Sequence, residues 1–200
     1  MMGAINLCTI NLPPIDRREV LRYAGVRCGD GAEYSGALDQ LEQILSPRLS
    51  PKACYIELPL KAEGNLLEIG NISIESASLA AHLSGCKAVV LIAVTVGVAL
   101  DREISRLGAS SPLKQLLADA IGTERVEAAC DALCQRISAE LSGEGRRLTS
   151  RFSAGYGDLP LSLQRQIFAV LDCPRQIGLT LNESLLMSPT KSVTAIVGIH

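Results

Sequence analysis

Lys87-Ala-Val-Val-Leu-Ile-Ala-Val-Thr-Val96 sets the architecture. From Ala88 to Val94 every side chain is apolar and many are β-branched, with no polar face. Such a run reads as a strand covered on both sides. Extended to Leu100, the apolar run takes in Thr95 and Gly97 and is too short to cross a bilayer. Upstream, Cys54–Leu60 and Asn65–Ile74 read as two further strands around a Glu63-Gly64-Asn65 turn. Ser76–Leu83 reads as a short helix capped by Ser76 and ended by Gly85. Nearer the start, Asp16–Tyr23 closes at Gly25. Ser35–Leu45 carries Leu38, Leu41, Ile44 and Leu45 on one face and stops at Pro47.

Downstream, Leu100–Leu107 returns as a helix. Leu113, Leu116, Leu117, Ile121, Val126, Cys130, Leu133, Ile137 and Leu141 then recur at helical spacing from Pro112 to Leu141, and Gly122 is expected to split that stretch in two. Arg147–Ser153 reads as a strand, Ala154–Pro160 as a Gly-rich turn and Leu161–Leu171 as a helix; Ile177–Met187 and Ser192–Ile199 read as extended. Helices and strands are intermixed without a βαβ rhythm. The expected class is therefore α+β, a mainly antiparallel twisted sheet with helices. No repeat, low-complexity tract or linker interrupts the 200 residues, which predicts a single domain over 1–200.

Composition narrows the function. A hydrophobic fraction of 48% with 20% charged residues is that of a folded chain, and the 3% of aromatics leaves the core to Leu, Ile, Val and Ala. The net charge of −2 argues against nucleic acid or a membrane surface as a partner. Seven cysteines (Cys8, Cys28, Cys54, Cys86, Cys130, Cys134 and Cys173) have no disulfide-framework spacing. Met1–Leu12 has no basic start followed by a long apolar run, so reduced thiols and a cytosolic location are expected. Cys130 and Cys134, one helical turn apart, suit a metal or redox pair or two small core residues, and no second pair accompanies them. No phosphate loop, dinucleotide fingerprint or nucleophile elbow is present.

Arg151-Phe-Ser-Ala-Gly-Tyr-Gly-Asp-Leu-Pro160 carries the chemistry. Glycines on either side of Tyr156 let the backbone turn sharply and come close to a ligand. Successive exposed N–H groups there are expected to cradle a carboxylate, with Arg151 as a bidentate clamp and Tyr156 offering a ring and a hydroxyl. A plain β-turn beside a surface arginine accounts for the same residues.

Arg151, Gly155 and Tyr156 match the Arg-x-x-Pro-Gly-Tyr signature of the activation (reactivation) domain of cobalamin-dependent methionine synthase, and the chain resembles that family. Ile177-Gly-Leu-Thr-Leu-Asn-Glu-Ser-Leu-Leu-Met187-Ser-Pro-Thr-Lys-Ser-Val-Thr194 resembles its second block, in which a Leu-Thr-Glu-Ser-like run leads to Met-x-Pro and Ser-Val. The match is clearest over 151–199. The resemblance implies that Arg151 binds the carboxylate of S-adenosylmethionine and that Ala154, Gly155, Tyr156 and Gly157 line the rest of it. It adds Glu183 as a candidate from the second block. Glu127 sits near the family's acidic ligand contact, although a solvated helix face explains it equally. The implied role is a short stand-alone reactivation subunit for a partner that carries cobalamin, a methionine synthase subunit or other corrinoid protein, with flavodoxin or ferredoxin as electron donor. Two features depart from the family. Ala154 replaces the proline before Gly-Tyr, and the chain stops at His200, soon after the second block. Both motivate the alternative of a non-catalytic binding or regulatory module serving another corrinoid protein or ligand.

Overall fold

The computed structural model describes residues 4–27 and 30–200, so Cys28 lies outside the described residues. The chain runs β1 (Asn6–Thr9), α1 (Arg17–Tyr23), α2 (Ser35–Leu45), β2 (Lys52–Glu63), β3 (Leu66–Ile69), β4 (Ile72–Glu75), α3 (Ala77–His82) and β5 (Ala88–Thr95). It continues as α4 (Val98–Gly108), α5 (Pro112–Ser142), β6 (Leu148–Phe152), α6 (Gln164–Leu171), α7 (Cys173–Ile177), β7 (Thr180–Leu181), β8 (Met187–Ser188) and β9 (Ser192–Ile199). The main sheet has the order β4-β3-β2-β5-β9-β6, with β1 also on β2, and its pairings are antiparallel. This is the α+β class expected.

β5 is central. It pairs with β2 from Lys52↔Thr95 to Pro59↔Ala88 and with β9 from Ala88↔Ile199 to Thr95↔Ser192. Helices cover both of its faces, which is why its sequence has no polar side. On one face Val90, Ile92 and Val94 pack with Val197 and with the apolar stripes of α1, α2, α4 and α5. On the other, Val89, Leu91 and Ala93 pack with Leu79 of α3, Ile167 and Phe168 of α6, and the β3–β4 hairpin. Among the described residues β6 forms the far edge and pairs only with β9, leaving its outer backbone edge free of strand partners.

Three expectations need correction. α5 is one continuous helix through Gly122. The absent side chain serves packing there, since a Cβ would lie 3.1 Å from Leu100 Cδ2 and from Lys191 Cγ and Cε. Asn65–Ile74 is two strands, because Gly70 takes a positive φ of 60° and, with Asn71, makes a two-residue hairpin between Ile69 and Ile72. Ile177–Met187 is not extended throughout. Ile177 ends α7, and only two short β7–β8 pairs form around a loop closed by Asn182, whose side chain accepts from the Leu186 N–H at 2.9 Å.

Candidate functional site

The site is organised around the edge strand β6. Side chains alternate along a strand, so Arg151 and Phe152 leave it on opposite faces. Arg151 lies over α5, where its Nη2 donates to Glu127 Oε2 at 2.7 Å. Its Nη1 is 3.1 Å from Asp131 Oδ1, at an angle that makes no hydrogen bond, and that buried donor has no other acceptor. Glu127 and Asp131 are one turn apart on α5, so both carboxylates reach the same guanidinium. Glu127 is thus an ion-pair partner rather than a merely solvated residue. Cys130 and Cys134 lie under the same guanidinium. Burial pushes both thiols above their usual range, with Arg151 opposing it, so they stay protonated and poorly nucleophilic at neutral pH.

On the other face Phe152 packs at 5.1 Å from the His82 ring, and Tyr156 meets Phe152 edge-on at 6.2 Å. His82 Nε2 is also 2.8 Å from the Ser150 carbonyl oxygen, tying α3 to the β6 edge. Ala154 is buried in the core on this face, whereas Tyr156 is 71% exposed.

The turn itself differs from the expected anion cradle. The Gly155 N–H donates to the Leu159 carbonyl at 2.9 Å and the Tyr156 N–H to the Ser153 carbonyl at 3.2 Å, so both amides are used inside the turn. Gly155 and Gly157 take φ of 92° and 56°, the left-handed region that lets the chain double back. At Gly157 the closest neighbour is the protein's own Ser78, whose Oγ would lie 2.5 Å from an added Cβ. Asp158 closes the turn onto α3. Its Oδ1 accepts from Ser76 Oγ at 2.5 Å and the Ser78 N–H at 3.1 Å, and its Oδ2 from the Ala77 N–H at 2.7 Å.

Glu183 is not on β6 or the turn that follows it. It is exposed in the β7–β8 loop, its carbonyl accepts from Arg165 Nη2 at 2.9 Å, and among the described residues its carboxylate has no ion-pair partner. The structure therefore places Arg151 on the α5 face of β6 and Ala154 with Phe152 on the other, with Gly155, Tyr156 and Gly157 in the turn that follows the strand. Sequence reasoning missed Asp131 and Asp158. Asp131 follows Glu127 at helical spacing, a signal that was available.

The rest of the second block fastens the β8–β9 connection. Thr190 hydrogen-bonds Asp101 of α4 through its amide at 2.7 Å and its hydroxyl at 2.8 Å, and Ser192 Oγ donates to Thr95 Oγ1 at 2.8 Å. Lys191 Nζ binds Asp119 and Thr123 of α5 at 2.8 and 2.9 Å.

A model of the vitamin B12 dependent methionine synthase activation domain matches residues 78–200. The chain belongs to that family. Among solved structures it is similar to the MetH reactivation domain crystallised with AdoHcy (S-adenosylhomocysteine), with a TM-score of 0.75, 17% identity, and coverage of 98% of this chain and 78% of that one. No curated protein matches the sequence. In this activation domain the matched region starts in α3 and so contains α5, β6 and the turn. A separate groove of about 640 Å³, lined by Arg18, Leu21, Arg22, Val26 and Arg27 among others, shares no residue with them. Among the described residues no helix is long and apolar enough to cross a membrane.

Proposed function

We propose that this activation domain binds S-adenosylmethionine along the outer edge of β6 and turns its methyl group towards the cobalt of a corrinoid held by a partner protein in the cytosol. The observation that carries the reading is the Arg151–Glu127 pair beside a strand edge with no strand partner. A guanidinium and a carboxylate side by side complement the carboxylate and ammonium of one amino acid. Family membership and the fold shared with a domain crystallised with S-adenosylhomocysteine support it.

In this reading Arg151 takes the ligand carboxylate and Glu127 its ammonium. The exposed ring of Tyr156 covers the adenosine end, Gly155 keeps the turn clear of side chains, and Ala154 and Gly157 hold its shape. Glu183 has no assigned role, because no hydrogen bond or ion pair among the described residues joins it to this group. A sulfonium methyl is already a strong electrophile, so the chain need supply no general acid or base, only orientation. The buried Cys130 and half-buried Cys134, both protonated, suit such a site, since they do not compete as methyl acceptors. The turn is held by its own amides and by Asp158 and so keeps its shape without the family's proline, which weakens the case for a non-catalytic module.

Isothermal titration of the chain with S-adenosylmethionine tests the proposal. Saturable binding is expected, and its absence up to millimolar ligand overturns it. Arg151→Ala removes a charge-assisted contact and is expected to weaken binding by about 1.5–3 kcal/mol, roughly ten- to a hundredfold. Unchanged affinity would take Arg151 out of the site. A corrinoid partner, a flavodoxin or ferredoxin reductant and S-adenosylmethionine labelled in its methyl group separate a reactivation subunit from a binding module. Only the former moves label to the corrinoid.

A further inference from the structure

We infer that Asp131 is an internal competitor for Arg151, held against the guanidinium edge that the ligand carboxylate takes and released to solvent when an amino-acid ligand binds. This rests on the preceding reading of the site and adds how its selectivity arises.

Glu127 makes a true hydrogen bond to Nη2, whereas Asp131 faces Nη1 at 3.1 Å without one. The buried Nη1 donor is therefore left for an acceptor of better geometry. The exposures differ in the same sense. The Asp131 side chain is 67% exposed, against 39% for Glu127 and 22% for Arg151. Asp131 rehydrates at little cost when it leaves, and Glu127 is the partner that stays. Exposed ion pairs of this kind are weak, so the competitor can be displaced yet still lowers affinity measurably.

Charge completes the argument. One guanidinium faces two carboxylates, so the cluster carries surplus negative charge before any ligand arrives. A ligand bringing only a carboxylate would exchange one anion for another and leave the surplus in place. A ligand bringing an ammonium as well compensates the displaced carboxylate, and one with a sulfonium adds a further cation. The cluster thereby selects the zwitterionic amino-acid end and favours the sulfonium donor over its thioether product.

The test compares two ligands on three proteins by isothermal titration. S-adenosylhomocysteine carries the amino-acid end, and 5′-methylthioadenosine lacks it. Asp131→Asn is expected to bind S-adenosylhomocysteine about two- to fivefold more tightly than the wild type, the range of an exposed ion pair. Its affinity for methylthioadenosine should not change. Asp131→Ala should behave alike, which guards against a new hydrogen bond from the amide. Unchanged or weaker S-adenosylhomocysteine binding in both variants overturns the inference, as does an equal gain for methylthioadenosine. Failure of the wild type itself to bind S-adenosylmethionine or S-adenosylhomocysteine overturns the underlying functional reading as well, and that is seen before any variant is made.

Discussion

Asp158 follows the Gly155-Tyr156-Gly157 turn and takes three hydrogen bonds from the start of α3. These bonds, chiefly that from the Ser76 hydroxyl, hold its carboxyl down at about 2. The folded value lies below the unfolded one of about 3.9, so the contribution is present above about pH 4 and lost as pH falls from there to about 2. Urea midpoints measured across that window should fall more steeply for the wild type than for Asp158→Ala; parallel curves would mean that the latch does not form. Arg151 teaches a different lesson at this scale. Its sequence neighbourhood marked it as a clamp but named neither of its partners. Strand alternation sent it towards α5, away from the turn it was read with.

α5 illustrates what an element owes to its own spacing and what to its neighbours. The apolar positions from Leu117 to Leu141 announced the helix, but glycine propensity suggested a break that does not occur. An interior glycine costs about 1 kcal/mol relative to alanine, and the close approach of Leu100 and Lys191 explains why it is tolerated. Gly122→Leu is therefore expected to destabilise the protein by about 1–3 kcal/mol through overpacking. Chemical denaturation reads this directly, and an unchanged midpoint would show that α4 and the β8–β9 connection yield without cost. β7 and β8 show the opposite limit. Their composition looked extended, but the segment Thr180–Ser188 spends most of its residues closing a loop.

The molecule as a whole is tied together by contacts that join distant parts of the chain. Glu124 and Arg125 form an ion pair with side chains only 7% and 3% exposed. Arg125 also donates to the carbonyls of Pro13 and Pro14 at 2.6 and 3.2 Å, and Glu124 accepts from the Asp16 N–H at 3.1 Å. This pair anchors the segment before α1 to the long helix. Arg125→Met would leave Glu124 buried without its cation, an expected loss of about 3–5 kcal/mol. Replacing both with Met and Gln should cost less than the single change. Thermal melts of the two variants check this, and a single variant as stable as the wild type would show that the N-terminal segment is held by other means.

The sequence alone determined what a few consecutive residues can encode: the doubly covered β5, the apolar stripes of α2 and α5, the Ser76 cap and the sharp turn at Gly155–Gly157. Periodicity and local backbone preference act over one or two turns of chain, so these features were legible without coordinates. The packing of whole elements set the sheet order, the placement of Arg151 and Phe152 on opposite faces of an edge strand, and the choice of Glu127 and Asp131 as partners for the guanidinium. Arg151 and Glu127 are 24 positions apart, Asp158 and Ser76 82, and Arg125 and Pro13 112. Pairings at such separations depend on how whole elements stack, and no local pattern records them.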